Sequence, residues 1–178
     1  MREIEIKLRV RDLGRLEKQL TENECVLSSP VFQHDVIYAK VDAPTKQKAQ
    51  MGDITIRIRR MPDKAQFNLK QQKSNEMDNL EYETEVKDPE AIHQILLTLG
   101  YKPEVEVKKT RKEGKLGEYE ICLDTVEKLG TFVELEKLTT DDADPEAVRN
   151  ELFKVLESFG LSRSDEETKG YDTQMLLL

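Results

Sequence analysis

Strict alternation between charged and apolar side chains is the feature that most constrains this chain. Near the N-terminus the even positions from Ile4 to Val10 are apolar, while Glu3, Glu5 and Lys7 stand at odd positions. Because successive side chains of a strand point to opposite faces, this period of two predicts a half-buried β-strand. Similar patterns predict about eight strands, near residues 1–10, 32–40, 53–60, 65–71, 80–86, 104–112, 117–124 and 131–138.

Three helices are predicted between the strands from their capping residues. Asp12, Asp88 and Asp144 are suitable N-caps, and a proline follows the last two at the first helical position. Leucine, isoleucine and valine side chains at helical spacing follow each cap. Gly100 and Gly160 are placed to end the second and third helices.

These elements predict an α+β fold built on one antiparallel sheet, curled or closed, with the helices outside it. The charged strand faces could meet water, or they could line the inside of a closed barrel whose apolar outside carries the helices. Three amphipathic helices and a hydrophobic fraction of only 37% favour the second arrangement. No linker divides the chain, so residues 1–178 are predicted to form a single domain, with the segment 171–178 docked on it.

Composition argues against several classes of protein. The chain has 28 Lys and Arg against 36 Asp and Glu, and its net charge of −8 disfavours nucleic acid as a partner. No apolar run reaches about 18 residues, so no membrane span is expected. Two cysteines, Cys25 and Cys122, fit packing roles and a cytoplasmic location. Two histidines are too few for a zinc site built on imidazole, and His34 is expected in a surface hydrogen bond.

Acidic residues form rows on the charged faces. Glu3 and Glu5 lie about 7 Å apart along one side of the first strand, and Glu134 and Glu136 repeat that pair on the last long strand. Asp124 ends the strand before it, and a third row is formed by Glu81, Glu83 and Glu85. Oxygen-rich clusters of this kind suit Mg²⁺ or Mn²⁺, although ion pairs with Arg and Lys across the strands are an alternative.

Basic residues alternate in the same way. They are Lys7, Arg57, Arg59, Lys70, Lys109 and Arg111. On one inner wall they would bind a polyanion through charge-assisted hydrogen bonds, and facing acidic rows would suit a metal–polyphosphate complex. The chain has no Walker A loop and no GxGxxG motif, so side chains must form any phosphate site.

A series of short motifs runs in one order along nearly the whole chain. The motifs are Glu3-x-Glu5-x-Lys7, His34-Asp35-x-x-Tyr38, Ile56-Arg57-Ile58-Arg59, Leu69-Lys70, the Glu81/Glu83/Glu85 row, Lys109-x-Arg111, Leu123-Asp124-x-Val126-x-x-Leu129-Gly130-x-Phe132-x-Glu134-x-Glu136 and Lys169-Gly170-Tyr171. In this order they resemble the CYTH family, also called triphosphate tunnel metalloenzymes. Within that family the chain looks most like the class IV adenylyl cyclase branch.

The resemblance implies a closed eight-stranded antiparallel β-barrel, the triphosphate tunnel, with helices packed on the outside. It also implies Mg²⁺ or Mn²⁺ as cofactor, a small-molecule triphosphate as substrate and a homodimer. The metal-binding positions that it implies are Glu3, Glu5, Glu134, Glu136 and, in addition, Asp124. The phosphate-binding positions are Lys7, Arg57, Arg59, Lys70, Lys109, Arg111 and Lys169, which stands where the family often has Arg. Glu83 and Glu85 match further acidic positions inside the tunnel.

Three functions are compatible with this site. The first is a class IV adenylyl cyclase, in which the ribose 3′-hydroxyl of ATP attacks the α-phosphate and Lys7 is among the residues that stabilise the pyrophosphate. The second is a triphosphatase for inorganic triphosphate, thiamine triphosphate or a nucleoside triphosphate, with Tyr38 and Lys70 orienting the attacking water. The third is a nucleotide- or polyphosphate-binding module without turnover, which would need only the basic wall and not the acidic rows.

Overall fold

The computed structural model describes residues 2–42 and 50–178. An exposed loop that the sequence predicts around Lys46 and Lys48 lies outside these residues. The strands are β1 Arg2–Arg9, β2 Val26–Leu27, β3 Val31–Lys40, β4 Ile54–Arg60, β5 Ala65–Gln72, β6 Asp78–Val86, β7 Tyr101–Leu116, β8 Tyr119–Val126 and β9 Gly130–Thr139. The helices are α1 Leu13–Glu22, α2 Pro89–Thr98, α3 Pro145–Ser158, a 3₁₀ turn at Arg163–Asp165 and α4 Tyr171–Leu176.

Eight of the strands form a ring of antiparallel pairings. Their order is β7, β3, β4, β5, β6, β1, β9 and β8, and β8 pairs again with β7. The junction between β6 and β1 is short, since it joins three residue pairs where β1 and β9 join eight. The antiparallel α+β class and the eight predicted strands are confirmed, and β2 is an additional short strand on the end of β7.

Apolar faces of the strands point outward and carry the helices. Ile4 and Ile6 of β1 have no exposed surface and pack with Leu152 and Leu156 of α3 in one apolar cluster. A second cluster joins Leu96 of α2 to the outer faces of β3, β4 and β5. Burial of each large aliphatic side chain contributes about 1.5–3 kcal/mol, so the helices hold the strands through their apolar sides. The charged strand faces are therefore left on the inside of the ring.

Capping residues begin and end the helices where the sequence predicts. The carboxylates of Asp12, Asp88 and Asp144 each accept a hydrogen bond from a backbone N–H in the first turn of α1, α2 and α3. Gly100 and Gly160 follow α2 and α3 with φ angles of +81° and +79°, which only glycine adopts without strain.

The hairpin between β7 and β8 lies later in the chain than the sequence predicts. Gly114 is not part of a turn but lies inside β7, where β2 pairs with it. A Cβ at this position would approach the carbonyl oxygen of Val26 to 2.8 Å. Gly114 therefore permits close approach of two backbones, and the turn itself follows Leu116.

Strand β6 begins two residues earlier than predicted because of a buried ion pair. Asp78 has no exposed surface, and its carboxylate accepts from the guanidinium of Arg2 at 2.9 and 3.0 Å. This pair ties β6 to β1 at the shortest junction of the ring.

Helix α4 docks the C-terminal segment at one end of the ring, as predicted. Tyr171 packs in a third apolar cluster with Ile37, Val107 and Phe132. Across residues 2–42 and 50–178, none of the helices combines the length and the apolar character that a membrane crossing requires.

Candidate active site

The inner face of the ring encloses a cavity of about 880 Å³. Every strand of the ring contributes side chains to its walls, and α4 borders it as well. Cavities of roughly 300–1,000 Å³ are typical of small-molecule sites. The strand alternation that buries the apolar faces outside thus places the charged faces on a ligand-sized space.

Most of the predicted site residues meet at this cavity. Those bordering it are Glu3, Glu5, Lys7, Tyr38, Arg57, Arg59, Lys70, Glu83, Lys109, Arg111, Glu134 and Glu136. Three predicted residues do not border it, namely Glu85, Asp124 and Lys169. Glu85 and Lys169 have exposed side chains away from the cavity lining, so the structure does not bring them together with the other predicted site residues.

Asp35 fixes two of the basic residues on the inner wall. Its carboxylate accepts from Arg59 at 2.8 and 2.9 Å and from Arg57 at 3.3 Å. Although burial opposes ionisation, Arg57 and Arg59 hold the pKa of Asp35 below its ordinary value. The two guanidinium groups are therefore held in place before any ligand binds.

Asp124 holds a second pair of cationic side chains in place. The sequence assigns this residue to the metal site, but in the structure it bonds to cations of the wall. Its carboxylate accepts from Arg111 at 2.7 Å, from Lys109 at 3.3 Å and from the hydroxyl of Tyr171 at 3.0 Å. Although burial opposes ionisation, Arg111 and Lys109 lower its pKa. A carboxylate that already accepts four hydrogen bonds from three residues, and has no exposed surface, positions cations and is not placed to bind a metal.

Tyr171 connects helix α4 to two lysines of the wall. The ammonium nitrogens of Lys7 and Lys109 lie 4.3 and 5.1 Å from the centre of its ring, within reach of cation–π attraction. Lys7 is almost fully buried, and its Nζ lies 3.8 Å from the carboxylate of Glu134. Burial and the nearby charge of Arg111 lower the pKa of Lys109 to about 8.

Lys70 lies between two carboxylates of neighbouring strands. Its ammonium is 2.7 Å from Glu81 and 3.9 Å from Glu3. Although burial opposes the charge, Glu81 and Glu5 raise the pKa of Lys70, so its ammonium stays protonated. Burial also opposes ionisation of Glu81, but Lys70 lowers the pKa of that carboxyl to about 2.

The inner carboxylates therefore divide into two sets. In the first set, cations balance the charge of each carboxylate, and its members are Asp35, Glu81, Asp124 and Glu134. Although burial opposes ionisation of Glu134, the neighbouring Arg111 lowers its pKa. A second set, Glu3, Glu5 and Glu136, has too little positive charge nearby. Burial and repulsion from Glu134 raise the pKa of Glu5, and burial and repulsion from Glu5 and Glu3 raise the pKa of Glu136. Burial together with Glu81 raises the pKa of Glu3 to about 8.

The second set lies on two adjacent strands. Glu5 of β1 stands directly opposite Glu136 of β9, and Glu3 is two residues away on the same face of β1. Like charges placed directly opposite each other destabilise a sheet. The chemistry of these three carboxylates fits Mg²⁺ or Mn²⁺, which take oxygen ligands and supply the missing charge. Within residues 2–42 and 50–178, no three His, Cys, Asp or Glu side chains are gathered closely enough to hold a metal ion, so Glu3, Glu5 and Glu136 would have to move together to bind one.

Tyr38 does not present its hydroxyl to the charged wall. Although the residue borders the cavity, its ring packs in the outer cluster with Val36 and Leu96. Its hydroxyl shares a 2.7 Å hydrogen bond with Nδ1 of His93 on α2. This placement corrects the prediction that Tyr38 orients an attacking water. The predicted surface bond of His34 is confirmed, since its Nε2 lies 2.8 Å from Glu106.

Among the polar residues of the cavity that the sequence did not assign to the site are Gln33, Asn68 and Glu120, together with Asp35, which occurs only in a family motif. Gln33 stands two residues from Asp35, and Asn68 stands two residues from Lys70 on the same strand face, which is the signal that could have found them. Glu120 has no such neighbour. Asn68 accepts from Arg57 and donates to Glu83, so it links the basic row to an acidic one.

The CYTH domain model matches residues 1–171. The chain belongs to the CYTH family. It is 29% identical over 173 residues, 96% of this chain and 97% of the relative, to a protein of Methanocaldococcus jannaschii named "Putative adenylate cyclase". A solved structure from Pyrococcus horikoshii has 27% identity and a TM-score of 0.81, covering 97% of this chain and 98% of that one. A Hippeastrum protein described as having a dominant triphosphatase activity shares the fold at 19% identity, with a TM-score of 0.63 and coverage of 95% and 90%.

Proposed function

We propose that this CYTH protein is a divalent-metal-dependent enzyme that acts on a triphosphate inside a closed β-tunnel, and that it converts ATP to cyclic AMP and pyrophosphate. The geometry of the cavity is the main support for the proposal: Glu5 and Glu136 stand directly opposite each other, Glu3 lies on the same face of β1, and all three border the cavity together with a row of fixed cations. A metal–triphosphate complex supplies positive charge to these three carboxylates and negative charge to the cations.

Acidic residues of the cavity would bind the metal ion, and basic residues would bind the triphosphate. Glu3, Glu5 and Glu136 would hold Mg²⁺ or Mn²⁺, and Glu134 lies next to them on β9. The bound ion would polarise phosphate oxygens and favour loss of the proton from the ribose 3′-hydroxyl. The basic residues would orient the triphosphate through charge-assisted hydrogen bonds, and they are Lys7, Arg57, Arg59, Lys70, Lys109 and Arg111.

Cyclisation needs no nucleophile from the protein. The 3′-oxygen of the ribose attacks the α-phosphorus, and the bond to the bridging oxygen breaks, so pyrophosphate leaves. The charge that develops on the leaving group is stabilised by cations that Asp35 and Asp124 already hold in place. This preorganisation contributes to the rate because the site does not rearrange as the charge moves.

Hydrolysis at the terminal phosphorus is the second candidate reaction. The M. jannaschii relative is named for cyclase activity, while the Hippeastrum protein with the same fold is described as mainly a triphosphatase. Lys70 is the residue left to orient a water, because the hydroxyl of Tyr38 bonds to His93. Since the ammonium of Lys70 stays protonated, it would act as a hydrogen-bond donor and not as a base. A binding module without turnover would have no use for the three unbalanced carboxylates.

A matched pair of lysine variants tests the site. Lys70 and Lys112 both form 2.6–2.7 Å ion pairs with a glutamate, but Lys112 does so with Glu17 and does not border the cavity. Lys70→Met should weaken binding of ATP and inorganic triphosphate at least about tenfold more than binding of AMP, because a charged hydrogen bond is lost. Lys112→Met should leave all three unchanged. Equal losses for AMP and the triphosphates in Lys70→Met would contradict a triphosphate site.

A further inference from the structure

One buried polar atom in the cavity wall has no partner. The carbonyl oxygen Oε1 of Gln33 makes no hydrogen bond. Within residues 2–42 and 50–178, every other buried side-chain nitrogen or oxygen has a hydrogen-bond partner. The Gln33 side chain is 3% exposed and borders the cavity. A buried acceptor that gives up its hydrogen bonds to water without gaining a partner destabilises the fold, so such an atom calls for an explanation.

The donors around Gln33 are already engaged. Its partner across β7 is Lys109, which donates to Asp124, and Asp35 two residues along β3 takes the guanidinium of Arg59. Arg111, two residues from Lys109 on the same face, donates to Asp124 as well. Each of these cations donates to a carboxylate, and none of them donates to the amide oxygen of Gln33.

We propose that Gln33 contacts the organic part of the substrate, accepting a hydrogen bond from a hydroxyl or amino group, and so selects an organic triphosphate over inorganic triphosphate. The proposal rests on the proposed function, since it takes the triphosphate cavity as given. It adds what the charged wall does not determine, namely that the substrate carries a neutral donor group, as a nucleoside triphosphate does.

The amide oxygen of Gln33 can bind only a hydrogen-bond donor. A carbonyl oxygen accepts hydrogen bonds and never donates them, and an ionised triphosphate offers only further acceptors. Inorganic triphosphate therefore cannot satisfy Oε1, whereas ribose hydroxyls and an exocyclic amine can. Gln33 borders the cavity, and rotation about its last side-chain bond exchanges the amide oxygen and nitrogen without movement of the β3 backbone. A site built to pair with a substrate donor discriminates strongly against a ligand that lacks it.

The test compares two ligands in one variant. Gln33→Met keeps the length of the side chain and removes its hydrogen bonds. In the presence of Mg²⁺, KM for ATP should rise about tenfold, while the inhibition constant of inorganic triphosphate as a competitor should change by less than about twofold. A parallel rise in both constants would overturn the proposal, because it would show the amide donating to the phosphates. No change in either would overturn it as well.

A stability measurement separates substrate binding from a structural role. Because Oε1 has no partner in the ligand-free protein, Gln33→Met should melt at the wild-type temperature or above it. A variant that melts lower or fails to fold would show that the amide supports the fold and would overturn the proposal. If the wild-type protein turns over no ATP and binds no inorganic triphosphate, the proposed function fails instead, whatever the behaviour of Gln33.

Discussion

The pKa of a side chain on the inner face depends on its charged neighbours, and Lys109 shows this most clearly. It is buried beside Arg111, and its pKa of about 8 lies well below the ordinary value near 10.4. Part of the phosphate-binding charge is therefore lost in the ligand-free protein just above neutral pH. The other lysine of the wall for which a shift is evident, Lys70, has its pKa raised by Glu81 and Glu5, against the opposing effect of burial.

Affinity for triphosphate should depend on pH through Lys109. Between pH 7 and pH 9 the wild-type protein should lose affinity for inorganic triphosphate as the ammonium of Lys109 deprotonates. Lys109→Arg keeps its charge throughout this range and should show a flatter profile. Calorimetric titrations at several pH values measure the difference. Identical profiles for the two proteins would show that Lys109 does not titrate as proposed.

Removing one unbalanced carboxylate should abolish metal-dependent turnover without harming the fold. Glu136→Gln deletes a proposed metal ligand, and the rate with Mn²⁺ should fall at least about 100-fold. The metal-free variant should be as stable as wild type or more so, because repulsion with Glu5 is relieved. Glu85→Gln, at an exposed position on β6, is the matched control and should keep full activity. Activity that survives in Glu136→Gln would refute the metal assignment.

At the scale of elements, helix α4 is not part of the strand ring, but it contacts residues of the site. It contributes Tyr171, whose ring contacts two lysines and whose hydroxyl bonds to Asp124. The loss of that hydroxyl leaves Asp124 with fewer donors and loosens the position of Lys109 and Arg111. The C-terminal helix is therefore expected to influence substrate binding.

Tyr171→Phe should affect both stability and KM. The variant should lose about 1 kcal/mol of unfolding free energy and raise KM for ATP several-fold. Tyr119→Phe is a suitable control, because the Tyr119 hydroxyl also donates to a carboxylate, Glu151, but on the outer surface. It should lose comparable stability at unchanged KM. A Tyr171→Phe variant with wild-type KM would show that α4 only anchors the chain.

Elements with strong local signals are predictable from the sequence. The caps at Asp88 and Asp144 and the alternation in β1 determine where chain segments begin and which face is buried. Pairings between distant segments carry no such signal. The bond of Arg2 to Asp78 and the pairing of Gly114 with β2 depend on residues 76 and 87 positions apart.

For the candidate site, alternation and the family motifs predict which rows of residues face the cavity, because every second side chain of a strand points to the same face. They do not predict how charges pair across strands. Asp124 and Glu134 both occur in the acidic motifs, and both lie on the inner face, since Asp124 pairs with Arg111 and Glu134 with Cys122. Glu134 borders the cavity, whereas Asp124 accepts a hydrogen bond from Tyr171 of α4, 47 residues away, and alternation does not predict that contact.

At the scale of the whole molecule, the ring concentrates opposite charges in one enclosed space and leaves an excess of negative charge on one side of it. The three carboxylates with raised pKa values bind protons in the folded state that they release in the unfolded chain above about pH 4.3. Folding of the metal-free protein is therefore coupled to protonation of the cavity.

This coupling predicts how stability changes with pH. For Glu3 the folded pKa of about 8 lies above the unfolded value, so the free energy of unfolding should decrease as pH rises between these values. The metal-free protein should melt at a lower temperature at pH 8 than at pH 6, and saturating Mg²⁺ should reduce the difference. Glu3→Gln should also reduce it. Melting temperatures that rise from pH 6 to pH 8 would contradict this account of the cavity charges.

Product analysis distinguishes cyclisation of ATP from its hydrolysis. The purified protein is incubated with ATP and Mn²⁺ or Mg²⁺, and the products are identified by mass spectrometry, with Glu136→Gln as the inactive control. The account predicts cyclic AMP and pyrophosphate, formed only with the metal present. ADP and orthophosphate without a cyclic product would contradict cyclisation and identify a triphosphatase, and ATP returned intact, together with intact inorganic triphosphate, would contradict the enzyme itself.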